Sequence, residues 1–393
     1  MRDVYVVSAV RTPVGKRNGY LRGWVAPELL GYVLNELVQR VGVDGSLIED
    51  VINGTVYQIG EQGFTLGRTG VLASNFPITV PGTSVNRQCG SSLTAIQMAY
   101  GMIASDTMDV VIASGFELMS KYEISSDVGG KLPDGRPQGD PFGEYYMRRL
   151  NGLPLFNMAQ AAQAIAEKWG ITRSECEEFA VTSHQKAYAA TINGYFKKEI
   201  LPTEGLNKDG QKFINEIDET IRSDTNLAKL ATLAPALNTK WITAGLSSPV
   251  TDGCSAVLLM SEEAMKKLNL KPLVRIVANA VVGSDPALVL TGPLYSTPKV
   301  LKKAGLKMDD IDIFEVNEAF APVPILWLKE LGASKERLNV NGGALALGHP
   351  VGNSGCRLSV TAIYELIRRQ GKYALVTLCT GGGMAPATIF ERV

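Results

Sequence analysis

The sequence predicts an α/β fold in which buried strands alternate with helices. Three observations carry that reading. Short β-branched runs recur along the chain, stripes with helical spacing follow them, and two Gly/Ser turn–helix–strand units of similar length stand far apart. At 393 residues the chain exceeds the size at which one core usually splits, so two or more units, or one large composite, are expected.

The elements follow in order. VYVVSAV near the start reads as a strand, and PELLGYVLNELVQRV as a helix with Leu29, Leu30, Val33, Leu34, Leu37 and Val38 on one stripe. DVINGTV is a strand again. Cys89 opens GSSLTAIQMAYGMIASD, whose stripe is Leu93, Ile96, Ala99 and Ile103. The apolar strand DVVIASG and then Glu117 come next. Residues 119–250 differ in texture. SKYEISSDVGGKLPDGRPQGDPFGEYY is polar, Gly/Pro-rich and reads as loop, while MAQAAQAIAEKWG and RSECEEFAVTSHQKAYAATING read as two helices. The span reads as an insertion before the strand SAVLLMS. PLVRIVANAVVG starts a new unit as a strand. DIDIFEVNEAFAPVPILWLKEL then delivers Asn317 and Glu318 into a turn before a helix. GNSGCRLSVTAIYELIRRQG (stripe Leu358, Ala362, Leu366) and the strand KYALVTLC echo the unit that Cys89 opens, as a duplicated fold would.

Composition excludes several classes. Basic and acidic residues balance at 39 each, so the chain carries no footprint for nucleic acid or an anionic membrane. No apolar run is long enough to span a bilayer, and the short opening run stops at Arg11 as a strand would, not a signal peptide. The five cysteines (Cys89, Cys176, Cys254, Cys356 and Cys379) are odd in number, widely spaced and without a CxxC, which fits reduced thiols and a cytoplasmic location. There is no GxGxxG after a strand, no P-loop and no HExxH, and no Cys/His spacing suited to a metal.

The chemistry gathers in three Gly-rich turns. Cys89 in VNRQCGSSLTAIQMA stands at an expected helix N-terminus, where the dipole and free amides favour a thiolate. Its bland reading is a small buried hydrophobe. The polar neighbours Asn86, Arg87, Gln88, Ser91 and Ser92 argue against an apolar pocket. His349, one of two histidines, lies in the tight GHPVG turn, as an exposed base or a hydrogen-bonded structural residue. His184, on a helical pattern, reads as solvated or packed. Cys379 ends a strand before Gly381, Gly382 and Gly383, a loop able to aim backbone N–H groups at an oxyanion or simply to turn a hairpin. Asn317 either holds a water or caps a helix. Two thiols and one imidazole without a metal suit acyl transfer through a thioester.

Together these motifs resemble the thiolase family, and the resemblance covers essentially the whole chain. It runs from VRTPVG through NRQCGSSLTAIQMA, DGCSAVLLMS and NEAFA to GGALALGHPVGNSGCR and CTGGGM. It implies a duplicated thiolase fold. This is a five-layer αβαβα core of two halves, 1–268 and 269–393, with a loop domain inserted at about 119–250. It also implies roles. Cys89 is the acylated nucleophile, His349 its base and Cys379 the acid/base at the acetyl Cα. Asn317 holds a water in one oxyanion hole, and the amides of Cys89 and Gly381 form the second. Ser248 touches the pantetheine arm, Arg222 lies near the adenine end of coenzyme A, and Met158 keeps the methionine of a His-Met-Gly run. Acyl-CoA and coenzyme A enter as substrates, with no prosthetic group and no metal, in a homodimer or homotetramer.

The sequence departs from the family pattern at Asn157 and Ala159 around Met158, at Pro249 after Ser248, and at Ser91-Ser92 after the nucleophile. The loss of the histidine points toward a degradative enzyme or one with an unusual acyl pocket. The expected activity is thiolytic cleavage of 3-ketoacyl-CoA. Biosynthetic condensation of two acetyl-CoA is the alternative, and a non-catalytic CoA or lipid carrier, or a structural partner in a complex, is the reading from another class. A hydroxymethylglutaryl-type synthase is disfavoured because CTGGG keeps the second cysteine.

Overall fold

The computed structural model describes residues 2–132 and 134–393. In chain order the first half contains β1 (Val4–Arg11), β2 (Gly15–Lys16), α1 (Ala26–Gln39), β3 (Asp50–Gly54), α2 (Leu66–Leu72), β4 (Thr83–Val85), α3 (Ser91–Ala104) and β5 (Val110–Leu118). Then come α4 (Glu144–Arg148), α5 (Met158–Lys168), α6 (Arg173–Ile192), β6 (Thr203–Leu206), β7 (Lys212–Asn215) and α7 (Leu227–Ala231). After them stand β8 (Thr251–Ser261) and α8 (Glu262–Lys267). The rest is β9 (Val274–Gly283), α9 (Pro293–Ala304), β10 (Ile313–Val316), α10 (Pro322–Leu331), α11 (Ala344–Leu347), α12 (Ser354–Arg369), β11 (Tyr373–Thr377) and β12 (Met384–Glu391).

The strand pairing shows the duplication directly. In the first half β3 runs parallel to β5, β5 antiparallel to β8, and β8 antiparallel to β1. In the second half β10 runs parallel to β11, β11 antiparallel to β12, and β12 antiparallel to β9. Four strands taken in chain order therefore fold twice into the same lateral order with the same directions. β4 extends the first half beyond β3. The two half-sheets are joined through β1 and β9, where Tyr5 pairs with Arg275 and Val6 with Val274.

Burial explains the layers. β5 and β8 are buried on both faces, so each half-sheet must be covered on both sides. The predicted stripe of α1 is wholly buried, and with α2 it covers the outer face of the first half-sheet. α9 and the end of α10 cover the outer face of the second through Val300, Leu301 and Trp327. Between the half-sheets lie α3 and α12, whose Leu93, Ile96, Leu358 and Ile363 pack with residues of both sheets. The result is the five-layer αβαβα core that the resemblance implies.

The two central helices meet at their N-terminal ends. Ser92 Oγ accepts the Cys356 N–H at 2.8 Å. A Cβ on Gly355 would lie 2.4 Å from the Leu93 nitrogen, so no larger residue fits there.

The chain between β5 and β8 packs mainly on the second half. α5 and α6 bury Ala161, Ala162, Ile165 and Ala180 in one cluster with Phe320, Leu326 and Cys379. The sequence predicts loop over residues 120–146. The structure adds the short helix α4 at its end, where Gly143 precedes an i,i+4 pair of Glu144 and Arg148. Pro133, in the same stretch, lies outside the described residues. Asn157 caps α5. Its side chain accepts the Gln160 N–H at 2.9 Å, and Gln160 accepts the Asn157 N–H at 3.1 Å.

A buried charge cluster ties the inserted span to the core. Arg11, fully buried at the end of β1, donates to Glu199 at 2.6 Å and to Asp218 at 2.7 and 3.0 Å. Glu199 also accepts from Thr361 of α12 at 3.0 Å. Removing the cation strands two buried carboxylates. Arg11→Met is expected to cost about 3–5 kcal/mol in denaturant unfolding, and a loss below about 1 kcal/mol would contradict this role.

Candidate active site

The turn that carries Cys89 is held by the polar residues around it. Asn86 donates to Val56 O at 2.9 Å and accepts the Gln88 N–H at 2.8 Å. Ser91 Oγ accepts the Arg87 N–H at 2.9 Å and donates to Gln88 O at 2.6 Å. Gln88 itself adopts a left-handed conformation, φ 49°. These bonds turn the polar side chains onto the backbone and leave the half-buried Cys89 packed against the apolar cluster of Val56, Tyr57, Met119 and Val351. The sequence expectation of a polar surrounding is therefore corrected.

The expected thiolate is corrected with it. Burial pushes the Cys89 thiol up to about 11, against the pull of the Gly381 N–H and its own N–H. The carboxylate of Glu117 adds to the rise. A resting thiol, not a thiolate, faces the pocket.

His349 sits, buried, in the turn between α11 and α12. Ser354 Oγ donates to Pro350 O at 2.8 Å, which uses its one hydrogen. Its 2.5 Å contact with His349 Nδ1 then requires the ring to donate. This network assigns the hydrogen to Nδ1, so Nε2 carries the lone pair and is the acceptor toward Asn317. Asn317 Nδ2 lies 3.3 Å from Nε2. Burial, and then the nearby Arg357, lower the imidazole to about 3, so it stays neutral. Ser354 went unnoticed in the sequence, and the signal was available: a serine five residues after the histidine, at the start of a helix.

Asn317 is fully buried and follows β10, its N–H bonded to Thr377 O at 3.1 Å. It does not cap α10, whose N-cap is Ala321. Its Oδ1 makes no hydrogen bond among the described residues. The next residue, Glu318, braces the approach to His349. Its carboxylate accepts from Asn339 at 2.8 Å, Ser183 at 2.7 Å and the Leu345 N–H at 3.1 Å.

Cys379 lies two residues beyond the end of β11 rather than at its end. It is buried, and desolvation followed by the neighbouring Cys89 pushes its thiol well above the ordinary range. The glycines divide between two places. Gly382 and Gly383, φ 78° and 70°, turn the β11–β12 hairpin, while the Gly381 N–H faces Cys89. The structure thus brings Cys89, Cys379 and Gly381 together. It seats the Asn317–His349 pair on the turn whose Val351 packs against Cys89.

The residues carried over for coenzyme A sit farther out. Met158, at the start of α5, packs in the same cluster as Cys379. The Ser248 N–H bonds to Ala319 O at 3.0 Å, beside the Asn317 turn. Arg222 is exposed, and its N–H donates to His184 Nδ1 at 3.1 Å. His184 is thus a packed helix residue, lowered to about 4 mainly by burial. Among the described residues no group of three or more His, Cys, Asp or Glu could hold a metal ion.

Two family models match nearly the whole chain: the thiolase N-terminal domain over residues 4–263 and the thiolase C-terminal domain over residues 270–392. The chain belongs to the thiolase family. It is 41% identical over 395 residues to the steroid 3-ketoacyl-CoA thiolase of Mycobacterium tuberculosis, covering 100% of this chain and 95% of that relative. It is 40% identical over 400 residues to the 3-ketoacyl-CoA thiolase of Klebsiella pneumoniae, covering 100% of each. Among solved structures, human mitochondrial 3-ketoacyl-CoA thiolase and the Bacillus anthracis acetyl-CoA acetyltransferase each superpose with a TM-score of 0.90. Each is 36% identical over 100% of this chain and 99% of the other.

A neutral thiol beside a neutral imidazole has a pH signature. Iodoacetamide labelling of Cys89 in the free protein follows the thiolate fraction, so its rate is expected to climb about tenfold per pH unit from pH 6 toward pH 10. A rate already flat at pH 7, measured by peptide mass spectrometry, would contradict the resting thiol.

Proposed function

We propose that this thiolase cleaves 3-ketoacyl-CoA with free coenzyme A, giving acetyl-CoA and a shortened acyl-CoA. The observation that carries the reading is the meeting of Cys89, the Gly381 N–H and Cys379 beside the Asn317–His349 pair.

The Cys89 thiol gives its proton to His349 Nε2 as its sulfur attacks the C3 carbonyl. The C2–C3 bond then breaks, and the electron pair leaves on the enolate of acetyl-CoA. Cys379 protonates C2, which its high thiol pKa suits, and acetyl-CoA departs. Incoming coenzyme A gives its thiol proton to the Cys379 thiolate and attacks the acyl-Cys89 thioester. Cys89 leaves and recovers its proton from His349. Each negative oxygen needs preorganised donors, a single one being worth roughly 3–4 kcal/mol. Asn317 with a bound water serves one oxyanion, and the Cys89 and Gly381 N–H groups serve the other. Keeping both sulfurs and the imidazole uncharged between turnovers avoids a buried charge until the transition state forms.

Met158 and Ser248 are assigned to the pantetheine arm, next to Cys379 and the Asn317 turn. The exposed Arg222 is assigned to the phosphorylated adenine end. We take residues 1–268 and 269–393 as the two halves, with the insertion at about 119–250. A homodimer, or a dimer of such dimers, is supported by the open margin of the sheet at β4, near which Phe64 and Ile78 stand 93% and 77% exposed. Free cysteines throughout fit a cytoplasmic setting. Among the described residues no helix is long and apolar enough to cross a membrane.

The acetyl-CoA acetyltransferase neighbour, equal in TM-score, favours a second reading: condensation of two acetyl-CoA. A thiolysis series of 3-ketoacyl-CoA chain lengths separates the two. Turnover beyond the four-carbon substrate is expected, and activity confined to acetoacetyl-CoA would select condensation. Cys89→Ala should lose at least about 10⁴-fold in kcat. Cys379→Ala should still acylate Cys89 yet fail to exchange the carbon–carbon bond. Full turnover by either variant would remove its assigned role.

A further inference from the structure

Glu117 stands near the end of β5, fully buried, between the two turns that carry the chemistry. Its Oε2 accepts the Val56 N–H at 2.9 Å and the Gly352 N–H at 3.0 Å. Its Oε1 accepts the Tyr57 N–H at 3.3 Å and Gln62 Nε2 at 2.7 Å. Val56 and Tyr57 form the wall against Cys89, while Gly352 stands three residues after His349 in the same turn. We propose that Glu117 is a positioning residue for thiolysis: its carboxylate holds the Cys89 wall and the His349 turn in one frame, so that the imidazole meets the sulfur. The proposal rests on the catalytic reading above.

The chemistry of the partners requires the carboxylate. All four are donors, so two oxygens with four acceptor sites satisfy them together. Gln62 cannot turn over to help. Its Oε1 already accepts the Leu118 N–H at 2.7 Å, and its Nε2 also donates to Tyr57 O at 2.8 Å. A glutamine at 117 keeps the shape but sets an NH2 group against donors. An aspartate is one methylene short of spanning both sides. There is also no slack, because a Cβ on Gly352 would lie 2.7 Å from Glu117 Oε2. Burial raises the carboxyl to about 7, against the pull of its donors. The titratable groups that feel it are Cys89 and Tyr57, both of which it raises.

Two reactions of the same sulfur separate positioning from mere packing. Acylation by acetyl-CoA needs His349 in place, whereas alkylation by iodoacetamide needs only thiolate. In Glu117→Gln, loss of the negative charge lowers the Cys89 thiol and speeds alkylation at pH 8, while the displaced turn slows acylation. A misplacement of about 1 Å costs on the order of 10²-fold. The expected result is a kcat about 100-fold lower, with KM for coenzyme A within about threefold. Gln62→Leu removes one donor and keeps the carboxylate, so its kcat should fall about tenfold. Wild-type kcat in a folded Glu117→Gln, or acylation and alkylation falling together, would overturn the proposal. If Glu117→Gln does not fold, Gln62→Leu decides alone, and an unchanged kcat in it overturns the proposal. Wild-type protein inactive in thiolysis would sink the catalytic reading itself, and this role with it.

Discussion

Everything in the site depends on how closely α3 and α12 approach at their N-terminal ends. The Ser92–Cys356 hydrogen bond and the contact at Gly355 fix that approach. Cys89 stands just before α3, and the His349 turn leads into α12. Two copies of one topology, packed with their central helices side by side, thus bring the Cys89 turn of one half near the His349 turn of the other, the arrangement that the proposed reaction uses. Neither half could assemble the site alone, because the β11–β12 hairpin that brings Cys379 and Gly381 belongs to the second.

Burial sets the protonation of the two thiols and the imidazole. Desolvation dominates at Cys89, Cys379 and His349, raising both thiols and lowering the imidazole. Each shift favours the neutral form. One layer behind, burial raises the carboxyls of Glu117 and Glu318, whose oxygens are taken up by donors from the turns they brace. In the proposed reaction these two fix geometry while the thiols and the imidazole exchange protons.

Much of this was legible in the sequence because it is written locally. The stripe of α1, the repeated turn–helix–strand unit and the Gly-rich turns each depend on residues a few positions apart. Asn317 was legible as a candidate but not as a partner of His349, since 32 residues separate them. The polar run around Cys89 misled for a physical reason. Asn86 and Ser91 use their hydrogen bonds on the turn, and the apolar cluster against which Cys89 packs comes from residues 56, 57, 119 and 351. The thiol's protonation state follows from that distant apolar shell, not from the helix terminus. Glu117 drew only a mention, because its four donors are gathered from segments up to 235 residues away.

Two sulfurs from opposite halves, Cys89 and Cys379, lie near each other in this site. Treatment with 1,3-dibromoacetone, followed by peptide mass spectrometry, tests it directly. A three-carbon bridge should join the Cys89 peptide to the Cys379 peptide in the folded protein, and acyl-CoA should prevent it. Separately alkylated peptides with no bridged species would contradict the account.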